Sequence, residues 1–165
     1  MSRWRPPAEK SSGYITAQGA SRLESELKQL WDRRKDVTKH LSAAAAEGDR
    51  SENAEYIYRK KELREIDRRL RYLQKRLQSV TIVSELPSDQ SRIFFGAWVK
   101  LEDENGAESE YRIVGADEIN TSSGWISVDS PLAKSLLKKG VDDEVQVVTP
   151  SGVAYFYILE IRYAL

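Results

Sequence analysis

The chain has 165 residues, 40% of them hydrophobic and 32% charged, a composition that suits one or two small folded domains rather than disorder. It has no cysteine and a single histidine, which excludes a disulfide framework, thiolate chemistry and a His-rich metal site, and argues against zinc held by protein ligands alone. The formal charge is zero, yet residues 1–80 carry 19 Lys/Arg against 12 Asp/Glu and residues 81–165 carry 7 against 14, so the halves read as different modules.

Residues 1–13, with Arg3-Trp4-Arg5-Pro6-Pro7, read as a disordered basic tail. They lack an apolar core of signal-peptide length, and nowhere do about 18 apolar residues run together, so a soluble cytoplasmic protein without a membrane partner is expected. Thr16 is a plausible N-cap for a first long helix ending near Glu47. Along it Leu23, Leu27, Leu30, Val37, Leu41 and Ala44 step by four and three, with Arg34 the exception. A second helix, capped by Ser51 and ending near Ser79, repeats the pattern with Leu63, Ile66, Leu70, Leu73, Leu77 and Val80.

Folding the chain near residue 48 sets Leu27 opposite Leu70, Leu30 opposite Ile66 and Leu41 opposite Tyr56. Residues 14–83 are therefore predicted to form an antiparallel coiled-coil hairpin, roughly 45 Å long at 1.5 Å per residue. Between the helices lies the stretch Gly48-Asp49-Arg50-Ser51-Glu52-Asn53-Ala54-Glu55-Tyr56, which places carboxylates at the hairpin's tip. Lys61, Arg64, Arg68, Arg71 and Lys75 recur by three and four on one face of the second helix, beside the seam, as a strip that can hold phosphates without sequence preference. Read alone, such a strip is more often a solvated face with ion pairs, which Glu62, Glu65 and Asp67 could supply.

Pro87 and the small polar residues around it mark a linker over residues 84–92. In residues 93–165 the runs Phe95 to Leu101 and Ser109 to Val114 flank an Asn105-Gly106 hairpin turn, and Trp125 to Val128, Glu144 to Val148 and Val153 to Ile161 read as further strands. Ser130-Pro131 opens a short helix through Leu137. The class is a two-domain α+β protein: a helical hairpin followed by a mainly antiparallel sheet domain with one short helix.

The stretch 48–56, the run Lys61 to Arg69, and Phe95-Gly96-Ala97-Trp98-Val99, Tyr111-Arg112-Ile113-Val114-Gly115 and Asp129-Ser130-Pro131 together resemble the bacterial Gre transcript-cleavage factors, the GreB type more closely than GreA. The resemblance implies an FKBP-like C-terminal domain that docks on RNA polymerase and a coiled coil that enters the enzyme's secondary channel. It implies that Asp49 and Glu52 lie beside the polymerase's catalytic Mg²⁺, with Arg50, Ser51 and Asn53 shaping the turn and Glu55 orienting water. It further implies that the strip meets the 3′ end of backtracked RNA, and that Asp129, Ser130 and Pro131 contact a coiled coil at the channel rim. On this reading the chain is a monomeric accessory factor, not an enzyme, which binds no metal stably when free. Hard Mg²⁺ takes oxygen ligands, and two carboxylates suffice to complete a shared site but not a private one. The alternatives are a channel-binding modulator without cleavage and, from the FKBP-like fold alone, a prolyl isomerase, for which no activity is expected.

Overall fold

The computed structural model describes residues 10–47 and 53–164. The chain forms two compact units, Ala20–Val80 and a second one combining Met1–Gly19 with Thr81–Leu165. Helices α1 (Ala17–Ala46) and α2 (Ala54–Ser79) supply the first unit. Its core is the expected seam: Val37, Ile66 and Leu70 are buried, with Leu27, Leu30 and Leu63 packed against them. Counting heptads with Leu63, Leu70 and Leu77 at position a, the charges flanking the seam fall at e and g, where interhelical ion pairs form. Arg33 pairs with Glu62 at 2.5 Å and Glu26 with Arg69 at 2.6 Å. One heptad forward along α1 is one heptad backward along α2, so the ion pairs fix the same antiparallel register as the apolar pattern. Arg34, the polar exception in the seam, is explained by its 2.7 Å ion pair to Asp67.

The second unit carries a five-stranded sheet in the order β5-β4-β3-β7-β6. Its strands are β3 (Trp98–Asp103), β4 (Glu108–Val114), β5 (Trp125–Ser127), β6 (Glu144–Thr149) and β7 (Gly152–Arg162). All neighbours are antiparallel except β4 and β5. Alternation puts Val99, Leu101, Ile113, Val145 and Ile158 on one face, where α3 (Pro131–Leu136) covers them with Ala133 and Leu136. The expected Asn105-Gly106 turn is present, with Gly106 at φ +78°. β3 starts three residues later than the sequence suggests, because Ala97 N–H closes a turn onto the Phe94 carbonyl and Gly96 takes φ +88°. The aromatics divide by face. Phe156 packs on the core, whereas Tyr155 and Tyr157 point outward, and Trp125, Arg112, Trp98 and Arg162, aligned partners across four strands, stack as alternating rings and guanidinium groups at 4.5–6.0 Å.

Two short strands that the periodicity does not announce, β1 (Tyr14–Thr16) and β2 (Thr81–Val83), pair in parallel and belong to this unit. Thr16 is the α1 N-cap, its hydroxyl accepting from Gly19 N–H at 3.0 Å. The buried Glu118 carboxylate accepts from Thr16 N–H (3.1 Å), the Thr16 hydroxyl and Gly115 N–H (2.8 Å). A Cβ on Gly115 would stand 2.3 Å from the Tyr14 carbonyl, and one on Gly19 2.1 Å from Glu118 Oε1, so both close approaches need glycine. Ser12 and Gly13, at the end of the basic segment, are also engaged: Ser12 N–H donates to Asp129, and Gly13 O accepts from Thr81 N–H.

Candidate functional site

α1 ends at Ala46 and α2 begins at Ala54, so the link between the helices carries the carboxylates singled out by the sequence. Gly48, Asp49, Arg50, Ser51 and Glu52 lie outside the described residues. What brackets them is defined by Asn53. Its side-chain oxygen accepts from Tyr56 N–H at 3.1 Å, and its side-chain amide donates to the Ala44 carbonyl at 2.7 Å. One residue thereby satisfies an orphan donor at the start of α2 and reaches a carbonyl in the last turn of α1 that also accepts from Glu47 N–H at 3.3 Å. This corrects the expected cap: Asn53, not Ser51, starts the helix, because an extended backbone at φ −83°, ψ 100° brings its short side chain back over the first turn.

Glu55 stands in that first turn, half exposed, and pairs with Arg59 at 2.8 Å. Arg59 continues to Glu62 at 3.1 Å, and Glu62 to Arg33. Burial alone would raise the Glu62 carboxyl, but the hydrogen bonds and charges of Arg33 and Arg59 outweigh it and hold Glu62 below its ordinary range. Glu55 is thus both a candidate for water orientation and the end of an ion-pair chain that stiffens the tip end of the hairpin.

Lys61, Arg64, Arg68, Arg71 and Lys75 are all exposed. They do not border the seam, as the spacing had suggested. In the heptad that buries Leu63 and Leu70 they occupy f, b, f, b and f, the positions turned away from the partner helix. Among the described residues none of the five has an ion pair: Glu62 and Asp67 are taken by Arg33, Arg59 and Arg34, and the exposed Glu65, at position c, pairs with none of them. The ion-pair reading therefore applies to e and g, while b and f form a cationic face without ion pairs.

In the sheet unit, Ser130 caps α3 by accepting from Ala133 N–H at 3.2 Å, and Pro131 follows at the first helical position, exposed. Asp129 is half-buried and accepts from Ser12 N–H at 2.7 Å. Of the three residues, Pro131 presents the most surface, and Asp129 and Ser130 hold the turn that presents it.

Among the described residues no group of three or more His, Cys, Asp or Glu side chains could hold a metal, and no helix is long and apolar enough to cross a membrane. The link's own acids, Asp49 and Glu52, are carboxylates, the hard oxygen donor type that divalent cations take.

Two family profiles match the chain. Residues 13–82 match the family described as transcription elongation factor, N-terminal, and residues 87–163 the one described as transcription elongation factor, GreA/GreB, C-term. The transcription elongation factor GreB of Xanthomonas axonopodis pv. citri is 57% identical over 166 residues, covering 99% of each chain. That of Pseudomonas aeruginosa is 54% identical over 164 residues, covering 99% of this chain and 98% of its own. The crystal structure of GreA factor homolog 1 of Thermus thermophilus is 27% identical, covers 90% of this chain and 97% of its own, and superposes with a TM-score of 0.43. With both halves matched and GreB relatives above half identity from end to end, the chain belongs to the GreA/GreB family of transcription elongation factors.

Proposed function

We propose that this chain stimulates the RNA-hydrolysing activity of RNA polymerase on backtracked transcripts, with the hairpin entering the enzyme's secondary channel and the sheet unit docking at its rim. The observation that carries the reading is Asn53: by joining the end of α1 to the start of α2 it holds the two helix ends around a link that contains Asp49 and Glu52. Such a link can present carboxylates inside a channel too narrow for a domain. Asp49 and Glu52 are the residues that would hold Mg²⁺ in common with the polymerase. The metal, when bound, supplies a Lewis acid that activates water and steadies the leaving oxygen of the phosphodiester.

The chain's own residues supply position and charge. Arg50, Ser51 and Asn53 shape the link, and Glu55 orients the attacking water while Arg59 fixes its carboxylate. The cationic face of α2 holds the phosphates of the displaced RNA 3′ end. On this reading the protein is an accessory factor whose carboxylates complete an active site that belongs to its partner, and Asp129, Ser130 and Pro131 contact that partner at the rim.

The test is a stalled, backtracked elongation complex carrying end-labelled RNA. Addition of the protein is expected to release 3′ fragments and restore elongation. Slower nucleotide incorporation with no fragment release would instead identify a channel-binding modulator.

A further inference from the structure

The outer face of α2 holds more than cations. Positions b, c and f of its heptads form that face, and c lies beside f on the side away from b. Two c positions are tyrosines, Tyr58 and Tyr72, with 60% and 42% of their surface exposed although each is a large ring. They stand two heptads apart, roughly 21 Å along the axis, and Lys61, Arg64, Arg68 and Arg71 lie between them. Each ring is steadied by a guanidinium, Arg59 at 5.4 Å from the Tyr58 centroid and Arg69 at 5.2 Å from that of Tyr72. Beside Tyr72 a shallow depression of about 310 Å³ is lined by Glu65, Arg68 and Arg69.

Among the described residues neither ring is buried with the hairpin core, whose members include Val37, Ile66, Leu70 and Leu73. A row of unpaired cations bordered by exposed aromatics is the arrangement by which proteins hold single-stranded nucleic acid: charge tracks the backbone, and rings take the bases. We propose that Tyr58 and Tyr72 are base-stacking platforms, so that the outer face of α2 grips single-stranded RNA by stacking as well as by charge. Glu65, the acid at the intervening c position, repels phosphate from the tyrosine side and leaves the backbone on the b and f track, with bases turned toward the rings. The inference rests on the reading of the cationic face as an RNA contact, and it adds the aromatic half of the grip.

The test uses the full chain and a fluorescein-labelled single-stranded RNA oligonucleotide, with anisotropy titrations over a salt series. Tyr58→Ala and Tyr72→Ala are each expected to weaken binding about five- to tenfold while leaving the slope of log affinity against log salt unchanged, since no charge is removed. Phenylalanine at either position should restore affinity, and duplex RNA, whose bases are already stacked, should bind all variants alike. Arg68→Ala should lower both the affinity and the salt slope. If Arg68→Ala behaves so but the alanine variants of the tyrosines bind as wild type does, stacking is overturned and the cationic grip stands. If those tyrosine variants instead weaken only the binding of polymerase, the rings contact protein and the proposal fails. If wild type binds no RNA even at low salt, the cationic reading falls and the proposal with it.

Discussion

A carboxylate withdrawn from water is tolerated when its lone pairs are taken up, and Glu118 meets that condition with two backbone N–H groups and a hydroxyl. It joins the N-cap of α1 to the end of β4, at the place where Gly115 and Gly19 leave room for the approach. Replacing it with Leu would leave the N–H groups of Thr16 and Gly115 without acceptors, and each buried orphan costs about 1–3 kcal/mol. Glu118→Leu is therefore expected to lose about 3 kcal/mol in urea unfolding, and unfolding within 1 kcal/mol of wild type would show the carboxylate to be dispensable. None of this was legible beforehand. An acid in the stretch 116–124 has the look of a solvated loop residue, because one donor residue, Thr16, lies about a hundred residues earlier and the other donor, three residues away, is a glycine amide that sequence cannot show to be free. Asn53 was closer to reach: an Asx residue before a helical run is a cap signal, but Ser51 competed for the assignment and only the backbone angles decide between them.

At the level of elements, the hairpin was the most readable part of the chain, since the seam repeats over enough turns for one register to satisfy every layer. The spacing of the cationic residues groups them on one face, and the structure puts that face away from the seam. Spacing by three and four shows that residues share a face, and only their offset from the buried seam says which face it is. The e and g ion pairs add an acid-sensitive component. Glu62 is held below its ordinary value of 4.5, so its contribution is present above that pH and is lost as pH falls through the lower folded value. Glu62→Gln should thus lower Tm at neutral pH, by an amount corresponding to about 1 kcal/mol for an ion pair near the surface, and should flatten the decline of Tm below pH 4.5. A variant whose Tm parallels wild type across the acid range would refute that assignment. The short strands β1 and β2 escaped because three residues carry no usable period, and they form only when chain segments far apart in sequence meet.

On the scale of the molecule, the charge asymmetry between the two halves, cationic over residues 1–80 and acidic over residues 81–165, suits the proposed function, in which the hairpin meets nucleic acid and the sheet unit meets protein. The α+β class, the sheet strands and the family were all legible, the strands through alternation around a clear Asn-Gly turn and the family through residues clustered at the link and along α2. The tyrosines bordering the cations were not, since an aromatic at helical spacing is read as core until its position relative to the seam is known. Under the proposed function, the link between the helices is what joins fold to chemistry. The most direct test is single-turnover release of the 3′ fragment from end-labelled RNA in a backtracked complex, measured across Mg²⁺ concentrations for wild type and Asp49→Ala, with polymerase binding followed by competition. Asp49→Ala should bind polymerase as wild type does, while stimulation falls on the order of tenfold or more, since loss of even an indirect metal contact costs that much, and recovers in part as Mg²⁺ is raised. Stimulation equal to wild type at every Mg²⁺ concentration would contradict the account and remove the link carboxylate from the chemistry.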